Sequence, residues 1–177
     1  MSPSQWGPPT WIFLHVLAEQ VKPESWPIIG QPLVSIIKNE ICSHLPCPEC
    51  SQHSKTFWSN VVVANLRSPT DLKNLLYVFH NKVNQRKGYR QFRYNDLQYY
   101  NSRGVIESFN AFAKVFNTHG NMNLINESFH RNMALSNIRK FLMSNIQHFN
   151  VMGTGSASSG SQTKMVNAPQ PSQSTKI

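Results

Sequence analysis

Three groups of residues in this chain carry chemistry by type and spacing: two cysteines with two residues between them, histidines at helical intervals, and a short run of cations. In Cys47-Pro48-Glu49-Cys50 the proline lacks an amide N–H and has a fixed φ, which suits the first position inside a helix. That places Cys47 at the N-cap and Cys50 about one turn in, on the same face. Partial positive charge at a helix N-terminus stabilises a thiolate, so such cysteines titrate well below the free value of about 8.5. Sulfurs so placed can close a small disulfide and reopen it by thiolate attack. A CxxC is also half of many zinc sites. Cys42, Cys47, Cys50 and His53, with His44 in reserve, make a tetrahedral zinc site the alternative. Against zinc, structural sites usually draw ligands from two separated segments, and these four lie within twelve residues. Cys42 then reads as a buried small hydrophobe on the preceding helix. A thioredoxin-like site would need a strand before the pair, and an amphipathic helix precedes it.

Trp6, Gly7, Trp11 and His15 form a second group, and His80-Asn81-Lys82-Val83-Asn84-Gln85-Arg86-Lys87-Gly88 a third. Taken alone, Trp11 and His15 are core residues by spacing, and His53 and Phe57 are a helix-surface histidine and a core ring. Arg86 and Lys87 alone are a solvated helix end, where cations favour the dipole. The net charge is +9, and its one local concentration is Arg86, Lys87, Arg90 and Arg93. Such a cluster meets either nucleic acid or the phosphates of a nucleotide cofactor.

The elements that must position these groups are helical. At 177 residues the chain holds one domain with room for an appendage. A hydrophobic fraction of 40% with 11% aromatic residues argues against wholesale disorder. Three cysteines do not make a disulfide-stapled secreted framework. The start shows no signal-peptide pattern, and no apolar run approaches the roughly 18 residues of a membrane span. The expectation is a soluble protein. Residues 6–11 are expected as a turn feeding a first helix, and Lys22 to Pro27 as a break. A second helix is expected over 28–44, a third from Cys47 to about 58, and an irregular connection over 60–67 in which Val61, Val62 and Val63 could form a strand. Ser68-Pro69-Thr70-Asp71 reads as a helix start and Gly88 as its stop. A short helix over 94–100 and two longer ones, about 105–117 and 123–148, follow, the last two separated at Thr118-His119-Gly120-Asn121. Residues 151–177 are rich in Gly, Ser, Gln and Pro and read as disordered.

In this order and spacing the motifs resemble the Erv/ALR family of FAD-linked sulfhydryl oxidases. The matching residues are Trp6-Gly7-Pro8-x-x-Trp11-x-x-Leu14-His15, then Leu45-Pro46-Cys47-Pro48-Glu49-Cys50 with His53, then His80-Asn81-x-Val83-Asn84-x-Arg86-x-Gly88. The resemblance implies an all-α fold: a four-helix bundle with a short fifth helix binding FAD, here over residues 1–103, followed by an added helical extension over 104–150 and the tail 151–177. It implies that Gly7, Trp11, His15 and His53 line the cofactor, and that His80, Asn81, Val83 and Asn84 pack at its adenine and ribose end. Arg86 and Lys87 fall near the pyrophosphate, and Phe92 and Tyr100 match aromatics beside the cofactor. Tyr77 stands where many members have Trp. Cys47 is expected to exchange with substrate thiols and Cys50 to reduce the flavin, with O2 as acceptor and hydrogen peroxide as product. No metal is expected.

The departures from the family pattern matter. Many members carry a second, shuttle cysteine pair in a flexible tail, and residues 151–177 contain no cysteine. Electrons must therefore come from thiol-containing protein substrates or a thioredoxin-like relay protein. A homodimer through the first two helices is expected, with no nucleic-acid or membrane partner. Cysteine-poor members with an added helical segment resemble those of large cytoplasmic DNA viruses, which places the expected site of action in host cytoplasm, virus factory or virion. The mitochondrial intermembrane space is the alternative. The rival to the whole reading is a zinc-stabilised basic helical module that binds nucleic acid.

Overall fold

The computed structural model describes residues 2–117 and 125–150. The expected break at 118–121 and the expected disorder of 151–177 lie outside the described residues. Among the described residues the fold is all-α, with one isolated antiparallel bridge, Val21 with Phe149, and no strand. None of its helices is long and apolar enough to cross a membrane.

α1 runs Pro3–Gln20, so the expected turn at residues 6–11 is instead helix, with Pro8 and Pro9 inside it. Each proline withholds an N–H from the carbonyl four residues back. Those carbonyls belong to Ser4 and Gln5, which are exposed, so water can satisfy them. The start is held locally: Ser2 N donates to Gln5 Oε1 at 3.0 Å, and Thr10 Oγ1 donates to Trp6 O at 2.7 Å. After a 3-10 turn, Pro23–Ser25, α2 spans Trp26–Ser35. Gly30 is required here, because a Cβ at this position would lie 2.7 Å from the Trp26 ring. The ring's Nε1 donates to Leu66 O at 3.2 Å, tying α2 to the loop before α4.

α2 continues as a π-helical turn, Ile36–Ile41, and stops short of the expected residue 44, leaving His44 in a turn. α3 spans Pro48–Ser59, and the valine run after it is a 3-10 turn, Val63–Asn65, rather than a strand. α4 spans Pro69–Lys87; Ser68 Oγ accepts from Asp71 N at 3.2 Å, and Gly88 ends it with φ 69°. That left-handed conformation costs a glycine little, and it turns the chain back across the helix end. The short helix is 3-10, Tyr94–Tyr100. α5 spans Val105–Phe116 and α6 Ile125–Asn145.

α1 sits between α4 and α5. Every residue from Phe13 to Ala18 is buried. Phe13 packs on Phe109 and Phe112, with ring centroids 5.7 and 5.0 Å apart. α6 lies along the π-helical turn, where Asn137 Nδ2 donates to Glu40 Oε1 at 3.3 Å. One apolar cluster therefore runs through both the bundle and the helices after residue 103. The two ends of this cluster are pinned together, with Lys22 N donating to His148 O at 2.9 Å and Asn150 N to Gln20 O at 2.7 Å. α5 packs along α1, and Ile28 on α2 remains 64% exposed.

Candidate functional site

Cys47 occupies the N-cap of α3 with extended backbone, and Pro48 is the first helical residue. The two sulfurs are bonded as a disulfide across a Cα–Cα distance of 5.1 Å, and Cys50 N donates to Cys47 Sγ at 3.2 Å. Cys50 faces a cleft of about 350 Å³ bounded by α1, the start of α3, the end of α4 and the segment 89–100; Cys47 does not line it. Between the cysteines Glu49 receives Arg86 Nη1 at 2.6 Å, joining the start of α3 to the end of α4. His53 lines the cleft and donates from Nδ1 to Glu49 O at 2.8 Å.

Stacked rings build the inner wall. Trp11 lies flat on His80, with centroids 4.0 Å apart and planes 8° apart. Phe92 stacks on the other side of His80 at 4.8 Å, and Tyr100 on His15 at 4.7 Å. His15 Nε2 and His80 Nδ1 are 3.1 Å apart and share one hydrogen. Burial, then the neighbouring His80 and Lys73, hold His15 well below the ordinary histidine range, and burial pushes His80 down to about 3. Both rings are therefore neutral near pH 7. Burial likewise raises the Tyr100 phenol. Cys42, buried between Ser54 and Trp58 and also lining the cleft, has its thiol pushed up to about 11.

The segment after Gly88 is a strap stitched to α4 by two asparagines. Asn81 Nδ2 donates to Phe92 O at 3.0 Å and its Oδ1 accepts from Phe92 N at 2.7 Å; Asn84 Nδ2 donates to Arg90 O at 3.2 Å. The strap brings Arg90 and Arg93 to the same mouth as Arg86 and Lys87. Arg93 holds the Asp96 carboxyl below its ordinary range through their hydrogen bonds.

Of the residues singled out by sequence, Gly7, Trp11, His53, His80, Val83, Asn84, Arg86, Lys87, Phe92 and Tyr100 line the cleft with Cys50. His15 stands behind His80, and Asn81 is turned to the strap backbone, so neither forms the wall. Sequence reasoning missed Tyr89, Gln91 and Tyr99, which reach the cleft only because the strap folds back over α4. It named Trp6 without giving it a role, yet Trp6 lines the cleft as well. Among the described residues no three His, Cys, Asp or Glu side chains are placed to hold a metal ion. The ligand set of the zinc alternative is thus not assembled: two of its sulfurs are bonded to each other and the third is in the core.

This geometry suits a flat aromatic ligand with an anionic tail. Flat rings line one part and four cations the mouth. A Cβ on Gly7 would meet nothing within 4 Å, so space is open beside it. Trp6 Nε1, in the lining of the cleft, is buried with no hydrogen-bond partner among the described residues, leaving a polar atom for a bound molecule to satisfy. A dinucleotide with a fused-ring head fits that donor set, and Cys50 lines the same cleft. A family model described as Erv1 / Alr matches residues 8–103, more than half of the chain. No curated protein and no solved structure matches it.

Proposed function

The chain belongs to the Erv1/Alr family, and from that membership we propose that it is an FAD-dependent sulfhydryl oxidase converting two protein thiols and O2 into a disulfide and hydrogen peroxide. One observation carries the reading: Cys50 faces a ring-lined, cation-mouthed cleft, while its disulfide partner Cys47 lies outside that cleft at the helix N-cap.

A substrate thiolate attacks Cys47 Sγ, forming a mixed disulfide and releasing Cys50 as a thiolate, which the N-terminus of α3 stabilises. A second substrate thiolate attacks the substrate sulfur of that mixed disulfide, leaving the product disulfide and Cys47 reduced. The cysteine pair now holds two electrons and can lose them only through Cys50, the sulfur at the cleft. FAD, when bound, takes up these two electrons and delivers them to O2. Trp11, Phe92 and Tyr100 supply ring surface, and His80, held neutral between Trp11 and Phe92, adds no charge to that wall. Arg86, Lys87, Arg90 and Arg93 offer charge-assisted hydrogen bonds to a pyrophosphate. Because the only other cysteine is Cys42, which is buried and free, the electrons come from a separate protein, either the substrate or a thioredoxin-like relay. A homodimer, if formed through α1 and α2, would rest on the outer face of α2.

The test is the full chain with dithiothreitol in an oxygen electrode. The purified protein should show flavin absorbance and consume O2, and Cys50→Ser should lose at least 100-fold in turnover, as expected for removal of a nucleophile, while keeping its flavin. Turnover that persists in Cys50→Ser would assign the wrong sulfur, and a colourless protein would remove the oxidase reading.

A further inference from the structure

A second cleft, of about 230 Å³, opens on the opposite face of α3. Its walls are Pro48, Ser51, Gln52 and Lys55 from α3, His44 and Leu45 from the turn before it, and Glu127, His130 and Arg131 from α6. The first turns of α3 are thus a partition: Cys50 and His53 face the ring-lined cleft, Pro48 and Ser51 face this groove, and Cys47, in the lining of neither, is the N-cap residue between Leu45 and Pro48 of the groove wall.

Arg131 is the unusual residue. It falls in the buried stripe of α6 with Ala134, Ile138 and Leu142, and it is only 3% exposed. A guanidinium has five donors and is rarely buried unless paired. Arg131 makes one long contact, Nη1 to Glu127 Oε2 at 3.4 Å, and Glu127 is itself 45% exposed. Its Nε is buried with no partner among the described residues. The groove it lines is rimmed by Lys55, His44 and His130 against the single carboxylate of Glu127. A buried, under-satisfied guanidinium facing an open groove is arranged to accept an anion.

We propose that this groove is a carboxylate-binding subsite that docks an acidic residue of the protein thiol substrate next to Cys47, with Arg131 as its anchor. The assignment of substrate class rests on the oxidase reading. It follows from position: a chain whose Asp or Glu reaches Arg131 passes Pro48 and Ser51 and so lies alongside the exchanging sulfur. The subsite uses α6, which lies beyond the matched residues 8–103, so the extension selects the substrate for the pair that the bundle presents.

The test separates docking from turnover. Two fluorescent peptides with Ser in place of Cys, one carrying Glu beside that position and one carrying Gln, are titrated by anisotropy against the full chain. Wild type should bind the Glu peptide about tenfold tighter, the size of one charge-assisted hydrogen bond. Arg131→Gln should abolish that preference. Because a buried site can fail to fold when changed, two exposed variants carry the same test. Lys55→Gln should weaken the Glu peptide severalfold, and Glu127→Gln, which frees Arg131 of its internal carboxylate, should tighten it severalfold. Cysteine versions of the peptides should show the same preference in kcat/KM, with dithiothreitol turnover unchanged in all three variants. Equal binding of the two peptides to wild type overturns the subsite. So does competition by inorganic phosphate without any Glu preference, which would mark a general anion site. Loss of dithiothreitol turnover in wild type would instead overturn the oxidase reading, and the anisotropy result would stand apart from it.

Discussion

His15 and His80 share one hydrogen between two rings that burial keeps uncharged, and that has a sign in pH. In the fold His80 takes up a proton only near pH 3, whereas unfolded it does so at its ordinary value of 6.5. Between those values the unfolded chain binds the extra proton, so the stabilisation is complete above about pH 6.5 and is lost as pH falls toward 3. At pH 5 the His80 share is about 2 kcal/mol, taking 1.36 kcal/mol per unit, and His15 acts in the same direction. Urea midpoints measured with FAD saturating should fall between about pH 7 and about pH 5, and His80→Phe should make that slope shallower; an unchanged slope would show that His80 is not held neutral. The sequence placed His15 and His80 in motifs but could not pair them, because they are 65 residues apart and only the packing of α4 on α1 brings them into contact. The redox pair was legible from Cys47-Pro48-Glu49-Cys50 itself, since Pro48 all but dictates where the helix begins.

At the scale of elements, the strap is the part most easily loosened. Its 3-10 helix is anchored by buried Leu97 and Tyr100, whereas the stretch before it is held by Asn81 through two backbone hydrogen bonds at Phe92. Asn81→Ala leaves those backbone groups unpaired, a loss of about 1–3 kcal/mol. FAD affinity measured by fluorescence recovery should drop about tenfold or more, with the absorbance of the bound flavin and the disulfide of α3 unchanged; unchanged affinity would mean that the strap is held by its rings alone. Helix starts at Pro48 and Pro69 and the stop at Gly88 could be read directly, because each rests on a local rule about prolines, caps or positive φ. The start of α1 could not, because Pro8 and Pro9 signal a break and only the solvent exposure of Ser4 and Gln5 makes the helix tolerable. The groove beside Cys47 was invisible for a different reason: it joins residues of α3 to residues of α6 more than seventy positions away, and no local pattern marks Arg131 as other than a surface cation.

For the whole molecule, the extension is not an appendage in the energetic sense. Phe112 is fully buried and stacks on both Phe13 of α1 and Phe116 of its own helix. Phe112→Ala should cost about 3–5 kcal/mol, read as a fall in the thermal midpoint of the full chain, including the part that binds FAD. A small fall would mean that α5 only rests on the bundle. The boundary near residue 103 was drawn from where the resemblance ends, and composition says nothing about which face of α1 the later helices cover. The bridge between Val21 and Phe149 has a consequence of its own. A ribosome emits α1 well before the residues that seal it, some 130 positions later, and chains generally fold their earlier parts as soon as those can be buried. Here Phe13 lacks its α5 neighbours Phe109 and Phe112 until α5 has emerged, and Gln20 its partner at Asn150 until later still. Completion of α1 therefore waits on residues some 130 positions downstream of it.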